Sequence, residues 1–292
     1  MSATINTALR EAVRCLEAHA IPEARPAAEI LLADLLAVTR AHLYLDAHCP
    51  LSTTQHDRYI ARIQRRLHGE PVQYITGHQE FWSLEFEVNP HVLIPRPESE
   101  LLVEHGVRFV HQWQRAQQRR PLEILDVGTG SGNLAISLAS TLPQSRVTGV
   151  DIALGALQVA WRNAQRLGVT ERVAWVGGDL LTPFRHDCRR FALCVGNLPY
   201  VTVTEWGQLP PEIRDYEPKT ALLAGEDGLA CIQRVVSTSP GLLAPGGTLL
   251  LEVGWRQATA VMEIIRRRGD FQEVGGFRDF AGIERIVWAR MP

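Results

Sequence analysis

The run Ile124-Leu125-Asp126-Val127-Gly128-Thr129-Gly130-Ser131-Gly132-Asn133 constrains the fold of this chain more than any other stretch. A short apolar run reads as a buried strand. Glycines at alternate positions then let the backbone turn sharply and approach a ligand closely, and the helix behind them starts with free N–H groups. The same alternation continues down the chain. Expected strands lie at 123–127, 146–150, 172–176, 191–195 and 247–253, with helices at 133–140, 154–167, 228–237 and 258–267. Two last strands, 271–274 and 285–289, have no helix between them and are expected to form an antiparallel hairpin that closes the sheet. The predicted fold class is α/β, a doubly wound sheet with a C-terminal antiparallel hairpin.

The chain before that sheet has a different character. Ile5, Leu9, Val13 and Leu16 recur at near-helical spacing behind a Thr4 cap. A second helix is expected at 27–38, carrying Ile30, Leu31, Leu35 and Leu36 after Pro22 and Pro26. A third is expected at 53–67, with Ile60, Ile63 and Leu67 inward and Gly69 as its stop. Its Arg62, Arg65 and Arg66 read either as a partner surface or as a solvated face. The β-prone runs 73–76, 81–88 and 91–94 suggest a hairpin-like linker, and 98–111 looks helical. The expected segments are a small N-terminal helical domain at 1–70, a β-hairpin linker at 71–97 and the α/β domain at 98–292.

Composition removes several chemistries. Of 30 lysines plus arginines, Lys219 is the single lysine, and no glycine-rich loop precedes it, so a Walker phosphate loop is excluded. The net charge of −2 argues against a protein that coats nucleic acid by charge alone. Hydrophobic residues at 46% and charged residues at 21% are ordinary for a soluble globular protein. No apolar run approaches the roughly 18 residues of a membrane span, and the N-terminal residues to Arg14 lack a continuous signal-peptide core. The five cysteines are odd in number and form no Cys-x-x-Cys pair, so free thiols in a cytoplasmic protein are expected, with no zinc or other metal site.

Spacing selects the ligand of the glycine loop. A dinucleotide fingerprint is Gly-x-Gly-x-x-Gly. Here the third glycine comes one position early, at Gly132, and an acid, Asp126, stands two places before Gly128. The series resembles the S-adenosylmethionine loop of class I methyltransferases, and that resemblance implies cofactor contacts from Asp126, Gly128, Thr129, Gly130, Ser131 and Gly132. Asp151, at the end of the second strand, can accept two hydrogen bonds from ribose hydroxyls, a role the dinucleotide folds share. It can equally cap the helix that follows. By resemblance, Asp179 lies near the adenine amino group and Leu180 against its face.

Gly196-Asn197-Leu198-Pro199-Tyr200 ends the fourth strand, on the rim where ligands of such folds bind. The turn resembles the Asn/Asp-Pro-Pro-Tyr/Phe motif of amino-methyltransferases. A planar amide or aryl amine is a poor nucleophile because its lone pair is delocalised. Two fixed acceptors on its two N–H bonds can hold it and favour pyramidalisation. The Asn197 side-chain oxygen and the Pro199 carbonyl or its neighbour can be those acceptors, and Tyr200 can be a flat wall. Asn197, Pro199 and Tyr200 are the expected catalytic residues, with Leu198 beside them in the substrate pocket. The chemistry needs proximity, orientation and electrostatics rather than a strong base. Leu198 departs from the Pro-Pro form, and rRNA adenine dimethyltransferases also carry Asn-Leu-Pro-Tyr, so the turn by itself leaves an adenine or a glutamine open as substrate.

Several stretches resemble the HemK/PrmC family: Gly69-Glu70-Pro71-Val72-Gln73-Tyr74-Ile75-Thr76-Gly77, Glu80-Phe81-Trp82, Val88-Asn89-Pro90, Leu93-Ile94-Pro95-Arg96-Pro97-Glu98-Ser99-Glu100, Tyr216-Glu217-Pro218 and Ala224-Gly225-Glu226-Asp227-Gly228-Leu229. The resemblance implies a class I methyltransferase Rossmann-like fold behind an N-terminal helical domain. It also implies an S-adenosylmethionine-dependent N-methyltransferase that leaves S-adenosylhomocysteine. The implied substrate is the glutamine of the Gly-Gly-Gln motif of peptide chain release factors, docked with help from the N-terminal domain. A related branch modifies a ribosomal protein glutamine. A monomer with no membrane or direct nucleic-acid partner is expected. Phe81 and Trp82 read as pocket-mouth or hairpin-core aromatics. Arg96 reads as a substrate contact or a brace paired with Glu98 or Glu100.

Overall fold

The computed structural model describes residues 3–117, 122–185 and 187–292. The expected segments 1–70 and 98–292 therefore each include residues outside the description. The chain divides into two compact units: Met1–His78 with Pro210–Tyr216, and Gln79–Leu209 with Glu217–Pro292.

The first unit is helical: α1 (Ile5–Ala18), α2 (Ala24–Leu36), α3 (Arg40–Leu45), α4 (Thr53–Leu67) and α5 (Val72–Thr76). Thr4 caps α1 through a reciprocal pair with Thr7, and Ser52 caps α4 in the same way with Gln55. Ile5, Leu9, Val13 and Leu16 form the buried stripe of α1, as their spacing predicts. In α2, Pro26 falls in the first turn, where no intrahelical N–H is required, so the helix begins before the proline rather than after it.

Three expectations are corrected here. The buried positions of α4 are Tyr59, Ile63 and Arg66, while Ile60 stands one position off that stripe and is 36% exposed. Arg62, Arg65 and Arg66 are not a free face. Arg62 pairs with Asp34 at 2.6 Å, and Arg65 donates to Glu70 at 2.7 Å. Arg66 is buried and reaches Glu212 at 2.6 Å, and the Tyr216 hydroxyl donates to the His68 carbonyl. These contacts tie 210–216 into the first unit, a return that no local sequence pattern announces. The run 73–76 forms α5 rather than a strand: the Pro71 carbonyl accepts from Ile75 N–H, and Gly77, at φ 85°, ends the turn.

A hairpin follows, β1 (His78–Phe81) and β2 (Leu84–Glu87), the second unit taking over from Gln79. Trp82 and Ser83 both have φ 56°, the left-handed pair that a tight hairpin turn needs. The run 91–94 is irregular, turned by a bond from Val92 N–H to the Asn89 carbonyl. Then follow α6 (Glu100–Gln117), β3 (Leu122–Val127), α7 (Asn133–Thr141), β4 (Ser145–Asp151), α8 (Leu154–Arg166), β5 (Val173–Gly177) and β6 (Phe191–Asn197). The chain closes with α9 (Ala230–Thr238), β7 (Leu243–Glu252), α10 (Ala258–Arg268), β8 (Glu273–Arg278) and β9 (Glu284–Arg290). The last hairpin forms as expected, but its first strand is shifted: β8 runs Glu273–Arg278, so Phe271 precedes it instead of opening it.

Seven strands form one sheet in the order β5-β4-β3-β6-β7-β9-β8. The first five pair in parallel, and β9 is antiparallel to both neighbours. Alternate side chains feed opposite faces. Ile124, Leu193 and Leu250 enter the layer under α6 and α7, while Leu125, Cys194 and Leu251 enter the layer under α9 and α10. The strand order reverses between β3 and β6, so the loops leaving them diverge and open a crevice at their carboxyl ends.

One buried amide fixes the glycine turn beside that crevice. Asn163 on α8 is fully buried; its Nδ2 donates to the Ser131 carbonyl at 2.9 Å and the Glu87 carbonyl at 3.0 Å, and its Oδ1 accepts from Glu87 N–H at 2.7 Å. It joins helix, hairpin and glycine turn. Asn163→Ala would leave three backbone groups without their partner, the Ser131 carbonyl among them buried. Its expected cost is about 2–4 kcal/mol, measured by urea unfolding.

Candidate active site

The crevice holds a cavity of about 310 Å3. Its floor is the glycine turn after β3, its sides are the ends of β4 and β5, and its far wall is the turn after β6. The segment before α6 contributes Arg96 and Ser99. Gly128, Thr129, Gly130, Ser131, Asp151 and Asn197 therefore meet at one place, with Asp179, Leu180, Leu198 and Pro199 around them. Gly132, Asp126 and Tyr200 do not line it.

The glycines are required by conformation. Gly128, Gly130 and Gly132 have φ of 72°, 54° and 81°. At Gly132 space is short as well, because a Cβ would come within 2.9 Å of Ile136 and Trp175. Asp151 pins the turn through Oδ2, which accepts from Gly130 N–H at 2.8 Å, and caps α8 through Oδ1, which accepts from Ala153 N–H at 2.9 Å. The cap and a ligand-facing role coexist, since a carboxylate has about four acceptor sites. Burial pushes Asp151 above the usual carboxylate range against these hydrogen bonds. Asp179 pairs with Arg234 at 2.6 Å, and Leu180 takes φ 52° on the cavity wall.

Asp126 lies beneath the turn rather than in the cavity. It is fully buried, and its Oδ2 accepts from the Thr129 hydroxyl at 2.6 Å and Ala135 N–H at 3.1 Å. Its Oδ1 has no partner among the described residues. Burial pushes its carboxyl up to about 7 against those two bonds.

The turn after β6 presents unused acceptors. Asn197 Nδ2 donates to Ser99 Oγ at 3.0 Å, which leaves Oδ1 on the other side of the amide. Among the described residues nothing donates to Asn197 Oδ1 or to the Pro199 carbonyl. Leu198 is buried in the apolar layer between sheet and helices. Gln257 Nε2 anchors the turn by donating to the Tyr200 carbonyl at 3.1 Å. The Tyr200 ring packs over Gly254, where a Cβ would stand 3.0 Å from its Cδ2, and burial raises its hydroxyl above the usual range.

Arg96 is a brace on the cavity wall. Its partner is Glu217, at 2.5 Å, and not Glu98 or Glu100 as expected. Glu217 is buried and also accepts from Ile94 N–H at 3.0 Å, so Ile94 and Arg96 close on Glu217. Glu100 instead accepts from Trp82 N–H. Phe81 and Phe86 pack edge to face in the core, and the Trp82 indole donates to Thr141; neither Phe81 nor Trp82 lines the cavity.

Ser99 and Glu252 were not picked out from the sequence. Ser99 Oγ donates to Glu252 Oε2 at 2.6 Å, and both are buried. A detectable signal existed for Glu252, an acid closing the apolar run Leu249-Leu250-Leu251 at the same strand-end rim as Asp151.

A parallel sheet with this reversal, an antiparallel strand inserted at one side and a glycine turn facing an Asn-x-Pro-Tyr turn define a class I methyltransferase. Residues 7–77 match the family described as PrmC N-terminal domain, and residues 124–216 match the one described as Methyltransferase domain. The release factor glutamine methyltransferase of Koribacter versatilis is 40% identical over 99% of both chains, and that of Moorella thermoacetica is 40% identical over 98% of both. The chain belongs to the release factor glutamine methyltransferase family. In fold it is also similar to the catalytic domain of hMettl16 in complex with a MAT2A 3'UTR hairpin: TM-score 0.54, 14% identity, 85% of this chain and 87% of that one.

The raised carboxyls carry a pH consequence. The folded protein keeps Asp126 protonated where the unfolded chain does not. Its stabilising share is present below about 4 and is lost as pH rises through about 7. Asp151 is shifted in the same direction. Asp126→Asn removes one such group. Its unfolding free energy in urea should exceed that of the wild type most at pH 8, the gap closing toward pH 5 by up to about 1.4 kcal/mol per pH unit.

Proposed function

We propose that this protein is an S-adenosylmethionine-dependent enzyme that methylates the side-chain amide nitrogen of the Gly-Gly-Gln glutamine in peptide chain release factors. It is proposed to act as a cytoplasmic monomer. The observation that carries this reading is the pair of unused acceptors, Asn197 Oδ1 and the Pro199 carbonyl, on one turn at the cavity.

The cavity residues fit a nucleoside-bearing sulfonium. Asp151 keeps acceptor capacity toward the cavity for ribose hydroxyls, the glycine turn offers backbone without side chains, and Leu180 and Ile152 offer apolar surface for a base. Asp179 is assigned the adenine amino group while paired to Arg234. When bound, S-adenosylmethionine supplies an electrophilic methyl group. The protein's part is placement. Asn197 Oδ1 and the Pro199 carbonyl accept the two N–H bonds of the glutamine amide, and the lone pair is freed as the nitrogen pyramidalises. The nitrogen gains the methyl and gives one proton to solvent, so no strong base is required. Tyr200, packed over Gly254 outside the cavity, backs the turn instead of flanking the substrate, and Arg96, held by Glu217, lines the cavity. Docking of the release factor is assigned to the helical unit.

The test uses labelled S-adenosylmethionine with purified release factor, native or with the motif glutamine replaced. Label on the native factor alone is expected; label on RNA instead overturns the reading. Asn197→Ala should keep cofactor affinity within about threefold while turnover falls about a hundredfold or more. Asp151→Ala should weaken cofactor binding, read by calorimetry, by about tenfold or more.

A further inference from the structure

We infer that Ser99 and Glu252 are positioning residues that set which way the Asn197 amide faces, so that its oxygen and not its nitrogen meets the substrate amide. The inference rests on the methyltransferase function proposed above.

Asn197 and Glu252 are cross-strand partners at the ends of β6 and β7, and Ser99 reaches both from the segment before α6. An ionised carboxylate can only accept hydrogen bonds, and a serine hydroxyl has a single hydrogen. Ser99 gives that hydrogen to Glu252 Oε2 at 2.6 Å. Toward Asn197 it then offers lone pairs alone. An asparagine amide has a donor end and an acceptor end, and only the donor end fits; Nδ2 indeed sits 3.0 Å from Ser99 Oγ. Oδ1 is thereby turned away from Ser99, to the free side of the amide. The reversed amide would set its oxygen against the Ser99 lone pairs and its NH2 against the N–H bonds of the substrate. Both contacts are repulsive. With Ser99 1% and Glu252 3% exposed, solvent cannot readily relieve the first of them. The chain of donors runs Asn197 to Ser99 to Glu252 and ends on a charge.

The direction holds while that charge persists. Groups acting on Glu252 are Arg285 on β9, Arg96 and Glu98 before α6, and Tyr200 beyond β6. Burial, aided by Glu98, pushes Glu252 up to about 7, against the Ser99 bond and the two arginines. A neutral Glu252 can itself donate to Ser99 and free its hydrogen for Asn197, so the amide is no longer held one way.

The full-length protein is assayed with release factor as Ser99→Ala, Ser99→Thr and Glu252→Gln, with kcat, KM, S-adenosylhomocysteine affinity by calorimetry and melting temperature for each. Ser99→Ala and Glu252→Gln should lower kcat about tenfold to a hundredfold, with KM and S-adenosylhomocysteine affinity within about threefold of wild type. Ser99→Thr keeps the hydroxyl and should recover most of the turnover lost in Ser99→Ala. Wild-type kcat should fall as pH drops through about 7, and Ser99→Ala should lack that step. Wild-type kcat in Ser99→Ala overturns the inference, as does a loss of kcat matched by an equal loss of S-adenosylhomocysteine affinity. A loss tracking melting temperature in all three variants, Ser99→Thr included, overturns it too. A wild type that leaves release factor unmethylated refutes the proposed function itself; methylation with an unchanged Ser99→Ala refutes this inference alone.

Discussion

The parallel pairing of β3 with β6 is the constraint on which the rest of the second unit depends. The chain winds outward from β3 through β4 to β5 and then returns to lay β6 against the other side of β3. Two successive crossovers on opposite sides leave the loops at the carboxyl ends of β3 and β6 pointing apart, and nothing in the sheet fills the gap. The glycine turn and the Asn197 turn are the two lips of that gap. They approach closely: a Cβ on Gly128 would stand 3.7 Å from the Asn197 carbonyl oxygen. Chemistry is located by topology before any side chain is chosen.

Side chains then hold the gap in shape at an electrostatic cost. Asp126, Asp151 and Glu252 all sit at strand ends, and burial raises all three. None is offset by a guanidinium in direct contact; hydroxyl and amide hydrogens do that work. A carboxylate that accepts from backbone N–H groups fixes a turn more sharply than apolar packing, because each bond has a direction. The structure gives up some stability at neutral pH for a rigid pocket. Arginine is used elsewhere, as a brace at Arg96 and as internal ties at Arg62, Arg65 and Arg66.

Local patterns made most of the fold legible. The short apolar runs at β3, β4, β6 and β7, the glycine turn and the unbroken last hairpin were enough to read a doubly wound sheet, because each is decided within about ten residues. Errors occurred where distant contacts decide. The run 73–76 has β-prone residues yet turns helical between Pro71 and Gly77. Ile60 looked inward beside Ile63, but Tyr59 took that place by bonding the Ala28 carbonyl. Of the site, the acid ending the second strand pointed to Asp151 and the Asn-x-Pro-Tyr turn ending the fourth pointed to Asn197, and both line the cavity. Ser99, Glu252, Asn163 and Gln257 act across separations that no spacing rule reports.

Leu198 changes meaning once its surroundings are known. In the sequence it departs from a Pro-Pro turn and leaves a nucleobase and an amide equally acceptable. In the fold it is 1% exposed and packs into the layer with Leu125, Val127 and Leu251. It is an anchor under the turn, and its exchange for proline alters packing rather than what the turn offers. What the turn offers is oxygen acceptors on a planar nitrogen, which serve adenine and glutamine alike. Discrimination between them must therefore lie in surfaces that admit a protein loop. The balanced charge of the chain, with Arg62, Arg66 and Arg96 each paired to a carboxylate, suits a peptide substrate better than a polyanion.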